Sequence, residues 1–326
     1  MLYYLRILSF IFLLSYPGFG YSQNSEINKN KNGDPGLSIL KGQDTGILPS
    51  IHRRPHLIAV LPTINNETSG LLMQKGQLWT INDGGNPAAI YRIDTTTGNI
   101  LHTIVIRNAI NTDWESLTQD DSDVYIGDFG NNSGNRSDLR ILKIPKAELF
   151  SPEADTVNST YIYFSYPDQT SFVADFCKTG FDCEAFFIQN DSIHLFTKDW
   201  SDQQTKHYIL PSDTGTYVAK LVESFDAGGL ITDAAINEKG NMTLLGYKNT
   251  WGKFYTCFIW EFSSYKGCFY FSGNKRRVRL GSALYSGQTE GMVLNNDNTV
   301  WLSSERIKAG CLSLPAKLFT LDLRLE

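Results

Sequence analysis

Five cysteines, five histidines and four methionines are thinly spread over 326 residues. The cysteines form no Cys-x-x-Cys pair, which argues against a structural zinc site. No Gly-x-Ser-x-Gly run occurs, so the serine nucleophile turn of the α/β-hydrolases is absent. No segment carries a helical period through three turns. Beyond the N-terminus there is no apolar run near the ~20 residues that span a bilayer. There is no large basic patch: Lys275-Arg276-Arg277 is a lone cluster, read as a solvated turn. Nucleic-acid binding, which needs many cations on one face, is therefore not expected.

What is present begins with a stretch that reads as an export signal. Arg6 precedes an apolar stretch at residues 7–14, and Gly20-Tyr21-Ser22 offers small residues for cleavage before Gln23. Residues 1–22 are thus expected to be a signal peptide and the protein secreted or periplasmic. Its removal leaves 28 basic and 34 acidic residues, a net charge of −6. Residues 23–51, rich in Asn, Lys, Gly and Ser, are expected to form a disordered leader. In an exported chain the cysteines suggest pairing. Cys257 and Cys268 stand equally far from a hairpin centre at Phe262-Ser263. Cys177 and Cys183 bracket a short loop, and Cys311 is left over. Five unpaired thiols remain the alternative.

From residue 56 onward, short β-branched and aromatic runs alternate with Gly, Asn and Asp turns. A motif recurs five times: Thr68-Ser69-Gly70-Leu71-Leu72, Trp114-Glu115-Ser116-Leu117, Cys183-Glu184-Ala185-Phe186-Phe187, Thr232-Asp233-Ala234-Ala235-Ile236 and Thr289-Glu290-Gly291-Met292-Val293. Strand repeats of this length predict an all-β propeller over residues 52–326, built of four-stranded blades around an axis. Four blades are complete in order: 70–73, 78–82, 89–94 and 100–106; then 116–119, 124–128, 139–145 and 160–166; then 185–189, 193–198, 207–211 and 217–225; then 234–237, 242–247, 255–262 and 268–280. The fifth has 291–294, 300–303 and 318–323. It lacks an outer strand, which residues 56–61 supply by closing the ring. Five blades follow. Six stay open because the interval from Glu115 to Glu184 is long, and residues 146–158 within it are read as a loop.

In such a blade the first strand leaves one face of the disk and the second returns to it. The starts are Ser69, Glu115, Glu184, Asp233 and Glu290. Asp83, Asp128, Lys198, Tyr247 and Glu305 follow at the returns, and Glu67 lies close to the first start. Carboxylates brought around one axis repel unless something compensates. Ca2+, which accepts six to eight oxygens, would do so, with Glu115, Glu184, Asp233 and Glu290 as ligands. Asn82, Asn131 and Asn132 are amide candidates. Glu67, Asp83, Asp128, Arg136, Lys198 and Glu305 are the expected ligand-binding residues around them. The plainer alternative is that the acids accept backbone amides and lock blades together.

The runs Glu67-Thr68-Ser69-Gly70-Leu71, Leu78-Trp79-Thr80-Ile81-Asn82-Asp83-Gly84-Gly85-Asn86, Asp113-Trp114-Glu115 and Tyr125-Ile126-Gly127-Asp128-Phe129-Gly130-Asn131-Asn132, with Arg136 and Gln288-Thr289-Glu290-Gly291, carry a resemblance. They are similar to a family of exported bacterial β-propeller proteins, most described only as hypothetical. That resemblance implies a secreted propeller and no settled activity. A looser similarity to calcium-dependent propellers of the gluconolactonase and phosphotriesterase type implies a channel metal. Glu115, Glu184, Asp233 and Glu290 stand in comparable places by blade position. The chain departs from that pattern, since His52, His56, His102, His194 and His207 all lie outside the repeated motifs. The expected function is binding of a small molecule, glycan or protein by a monomer with an acidic, Ca2+-binding mouth. The alternative is a Ca2+-dependent hydrolase of an ester, lactone or phosphoester. Sequence alone leaves open whether the protein is an enzyme.

Overall fold

Turn residues end each apolar run, so the chain doubles back repeatedly and its strands pair with their sequence neighbours. A computed structural model describes residues 46–250, 253–295, 299–309 and 312–323. The expected signal peptide, residues 23–45 of the leader and Cys311 lie outside the described residues. The first strands, β1 (Ile51–His52) and β2 (His56–Val60), precede blade 1, which is β3 (Thr68–Gln74), β4 (Gln77–Asn82), β5 (Ala89–Ile93) and β6 (Ile100–Ile106). Blade 2 has β7 (Trp114–Gln119), β8 (Asp123–Asp128) and β9 (Arg140–Pro145). After helix α1 (Lys146–Leu149) and β10 (Thr156–Val157), β11 (Thr160–Ser165) completes it. Blade 3 has β12 (Asp182–Gln189), β13 (Ser192–Lys198) and β14 (Gln204–Pro211), then β15 (Gly215–Val218) and the outer strand β16 (Lys220–Asp226). Blade 4 is β17 (Leu230–Ile236), β18 (Met242–Thr250), β19 (Lys253–Ser263) and β20 (Asn274–Ser282). Helix α2 (Ala283–Ser286) leads to β21 (Gln288–Leu294), β22 (Thr299–Glu305), a hairpin of β23 (Ile307–Ala309) and β24 (Leu312–Leu314), and β25 (Lys317–Asp322).

β2 pairs antiparallel with β25, with Leu57 opposite Phe319, and so supplies the outer strand of blade 5. The innermost strands β3, β7, β12, β17 and β21 contact one another in a closed cycle. The protein is a five-bladed β-propeller. Each core cluster lies between two adjacent blades. Trp79 and Ile90 of blade 1 meet Trp114 and Ile126 of blade 2. Phe129 and Phe164 meet Phe186 and Tyr208. Phe187 and Phe196 meet Phe258 and Phe262. Leu245 and Ile259 meet Leu302 and Phe319, and Leu318 meets Leu71 and Leu78. Five such junctions close the circle, which settles the blade number.

Three further strands stitch neighbouring blades. β10, on the way to the outer strand of blade 2, pairs in parallel with β6 of blade 1. β15, on the way to the outer strand of blade 3, pairs in parallel with β11 of blade 2. β1, just ahead of the outer strand of blade 5, pairs in parallel with β20 of blade 4. Residues 146–158 are therefore not a plain loop. The expected strand 217–225 is two: the chain steps at buried Ala219, whose N–H donates to Ser165 O at 2.9 Å. Leader residues near 51 pair with blade 4, because the open edge of β20 offers unpaired backbone groups.

The expected disulfides do not form. Cys177, Cys183, Cys257 and Cys268 are free thiols. Residues 264–273 intervene between β19 and β20, so Ser263 faces Asn274 and Cys257 faces Gly281. Cys268 is carried away into the Lys266–Phe269 bridge. Cys183 is buried in the core between blades 2 and 3, while Cys177 faces the channel mouth.

Candidate functional site

Each innermost strand carries a bulge near its start, where one residue is extra to the ladder. The bulged residues are Gly70, Glu115, Glu184, Thr232 and Glu290. A bulge re-aims a side chain. Here it turns Glu115, Glu184 and Glu290 into one cavity of ≈ 360 Å³ at the channel mouth. Blades 1 and 4 depart from the expected phase by one residue: glycine and threonine, not Ser69 and Asp233, occupy the equivalent positions. Asp83, Lys198, Tyr247 and Glu305, from the returns of four second strands, line the same cavity. Arg136 and Asp113 complete its charged wall.

Seven of the ten expected site residues thus converge: Asp83, Glu115, Arg136, Glu184, Lys198, Glu290 and Glu305. Three do not line the cavity. Asp233 is turned into the axis, where its carboxylate accepts from Ser116 Oγ at 2.7 Å and Met292 N at 2.6 Å. It ties blade 4 to blades 2 and 5, which is the plain locking role. Asp128 lies fully buried behind the wall, 2.7 Å from Arg140 and 3.2 Å from Arg136. It accepts from Asp113 N at 3.0 Å and so holds that residue in place. Glu67 accepts from Asn86 Nδ2 at 2.7 Å, and its backbone carbonyl accepts from Asp83 N at 2.9 Å.

Sequence reasoning missed Asp113 as a site residue. It stands two residues ahead of Glu115, a spacing that Asp182 and Glu184 repeat in blade 3. Phe176 and Cys177 reach the cavity from the β11–β12 connection, which carries no repeated signal. Trp200 lies in the wall beside Lys198.

The electrostatics divide the cavity. On one side Lys198 Nζ contacts Glu184 Oε1 at 2.5 Å, with both side chains 5% exposed. The ammonium stands 4.9 Å from the Trp200 ring centre and 5.2 Å from that of Tyr247. Burial works against this ammonium, but Glu184, Tyr247 and Glu290 outweigh it and hold its pKa well above the usual lysine value. Glu290 accepts from Gln288 Nε2 at 2.6 Å, and burial pushes its carboxyl up. Burial and the Glu290 charge push Glu305 well up.

On the other side Asp83, Asp113 and Glu115 bring carboxylate oxygens within 4.8 Å of one another. Glu115 is 5% exposed, and its Oε1 is buried with no hydrogen-bond partner. Burial, then Asp83 and Glu184, push the Glu115 carboxyl well up. Burial and Asp113 do the same to Asp83. Two unit charges 4 Å apart repel by about 4 kcal/mol at an effective dielectric near 20, so this group favours a proton or a cation. Two glycines permit the approach. A Cβ on Gly130 would overlap Glu115 Oε1 and lie 2.7 Å from Asp113 Oδ2. A Cβ on Gly84 would lie 2.7 Å from Thr112 O and 2.9 Å from Asp113 Cα. The Asn-Asp-Gly-Gly and Asp-Phe-Gly runs are therefore more than turn chemistry. Six carboxyls and two cationic side chains line the cavity, a formal balance of −4. Arg136 is also engaged by Asp128 and Asp138.

No family model and no curated protein matches the chain. Solved structures do. A hypothetical protein from Leishmania major aligns over 82% of this chain and 90% of its own, at 12% identity and a TM-score of 0.49. An exo-β-1,3-galactanase from Phanerochaete chrysosporium aligns over 77% of this chain and 59% of its own, at 13% identity and 0.47. A gluconolactonase from Xanthomonas campestris aligns over 79% and 72%, at 13% identity and 0.40. At these identities and TM-scores the likeness says nothing of this chain's chemistry.

Proposed function

We propose that the protein is an exported binding propeller whose acidic funnel takes a small polar ligand or the end of a glycan, with Ca2+ balancing its carboxylates. The observation that carries this reading is the −4 balance around one cavity of ≈ 360 Å³. A cavity of that size suits a small molecule. Trp200 and Phe176 provide ring faces, and Asn132, Asn135 and Gln288 provide amides, a combination suited to hydroxyl-rich ligands. The same negative balance disfavours an anionic ligand, and so a phosphoester. Among the described residues no helix is long and apolar enough to cross a membrane.

The test is a melt and a calorimetric titration with Ca2+, using EGTA as the control. At 100 times Kd, a bound ion stabilises by about 2.7 kcal/mol, which for a domain of this size raises Tm by about 5 °C. A melt unmoved by Ca2+ would overturn the reading. A glycan array probed with the Ca2+-loaded protein then seeks the ligand. N-terminal sequencing of the protein from the cell envelope should begin at Gln23.

The second reading is a hydrolase of an ester or lactone. Glu290 and Glu305 favour it, because both carboxyls are pushed up while Lys198 stays charged beside them. Bound Ca2+ would supply polarisation of a carbonyl oxygen. Glu290 would move a proton to or from the reacting oxygen, and Lys198 would steady negative charge developing nearby. An ester and lactone panel on the Ca2+-loaded protein separates the two readings.

A further inference from the structure

We propose that the cation sits off the propeller axis, at the junction of blades 1 and 2, held by Asp83, Asp113 and Glu115 rather than by a ring of one acid from each blade. This rests on the cation-assisted reading above and fixes where the ion binds. The expected axial set was Glu115, Glu184, Asp233 and Glu290. Two of these are already satisfied by protein groups. Glu184 has the Lys198 ammonium at 2.5 Å, and Asp233 accepts three donors: Ser116 Oγ, Met292 N and Ala234 N. Glu115 is different, since its buried Oε1 has no partner and converges with Asp113 Oδ2 on the space over Gly130.

The geometry of this trio suits one ion. Oxygens bound to Ca2+ at about 2.3–2.6 Å lie no more than about 5.2 Å apart, and these lie within 4.8 Å. All donors are hard oxygens, with no histidine or thiol among them, which selects Ca2+ over Zn2+. The backbone holds the trio in place before any ion arrives. Asp113 N donates to Asp128, and Gly130 N donates to Asp113 O at 3.1 Å. Asn111 Nδ2 donates to Asp83 O at 2.9 Å, joining the two blades. Glu115 is fixed by its bulge. Two glycines leave the space that any β-carbon would fill. An ion here leaves the Lys198, Trp200 and Glu290 side of the funnel open to the ligand.

The experiment uses the full chain with Ca2+ alone, followed by calorimetry, and Tb3+ luminescence excited through buried Trp114, which lies between Asp113 and Glu115 in sequence. The expected result is one ion per chain. Glu115→Gln and Asp83→Asn should each weaken binding at least about 10–100-fold, the loss seen even for groups outside the ligand shell. Glu290→Gln, which removes a charge from the axial side, should weaken it by less than about fivefold. In EGTA, Glu115→Gln should melt above the wild type, because it removes like-charge repulsion and gives the orphaned site an amide. A merely structural glutamate would not behave so. Equal losses from Glu290→Gln and Glu115→Gln would overturn the off-axis assignment while keeping cation binding. Absence of any ion in the wild type would overturn the functional reading as well.

Discussion

Replacing Asp233 with alanine tests the axis itself. Its carboxylate is 2% exposed and accepts from Ser116 of blade 2, Met292 of blade 5 and its own neighbour Ala234. Burial pushes this carboxyl up, and those three donors pull it back. A hydrogen bond to a charged group contributes about 1.5–3 kcal/mol. Losing the two bonds between blades should therefore cost about 3–6 kcal/mol. At about 2–3 °C per kcal/mol for a domain of this size, Tm should fall by about 6–18 °C. Asn is a sharper probe. A hydroxyl can donate or accept, but a backbone N–H can only donate. Whichever way the amide turns, either Met292 N or Ala234 N then faces an NH2 group. Asp233→Asn should cost about 1–3 kcal/mol, the price of one orphaned buried donor. Ser116→Ala should cost less than Asp233→Ala, since two N–H donors still hold the carboxylate. Urea melts of the three variants give the order. An alanine variant within about 1 kcal/mol of wild type, or an asparagine variant worse than alanine, would refute the locking role.

Lys198→Met leaves Glu184 buried opposite nothing and should destabilise the protein by about 3–5 kcal/mol. Adding Glu184→Gln should recover much of that loss in the same denaturation assay. Gly130→Ala should weaken Ca2+ binding at least about tenfold by calorimetry, because the new methyl fills the space over which Glu115 and Asp113 meet. A further prediction concerns pH. Burial pushes the Glu223 carboxyl, whose ordinary value is 4.5, up to about 7. The folded state then keeps a proton that the unfolded chain releases, so this group's contribution falls as pH rises from about 4.5 to about 7. The ceiling is about 3 kcal/mol at 1.36 kcal/mol per unit. His194 and His207, both pushed down to about 3 by burial, titrate in the opposite sense in wild type and variant alike. His207 Nδ1, the backbone N–H groups of Phe271 and Tyr270, and the charge of Lys275 face Glu223. The stability of wild type relative to Glu223→Gln should fall across that window and level off above it. A constant difference would refute the shift.

The strands and the closure of the ring were legible because apolar alternation and turn residues are local signals. The runs around Leu78, Tyr125 and Leu195 fall on second strands of the first three blades as expected. What was not legible depends on register. A bulge inserts one residue without disturbing the alternation on either side, so nothing local distinguished Asp233 from the position of Glu184. One residue of phase separates a carboxylate that faces the funnel from one that locks the axis. The disulfide expectation failed for a similar reason. Equal spacing about Phe262 assumed a tight turn, and residues 264–273 shifted the pairing. The stitches β1, β10 and β15 are too short for a pattern and exist because a neighbouring sheet presents an open edge. The trio of Asp83, Asp113 and Glu115 crosses two blades, and only assembly of blades 1 and 2 creates it.

Residues 51–60 act as a buckle: one short segment is fastened to blade 4 through β1 and to blade 5 through β2. Fraying normally begins at an outermost strand, and its amides exchange with solvent first. Here release of the last blade also requires letting go of its neighbour. Amides of β2 and of the β20 edge should accordingly trade hydrogen for deuterium on one shared timescale.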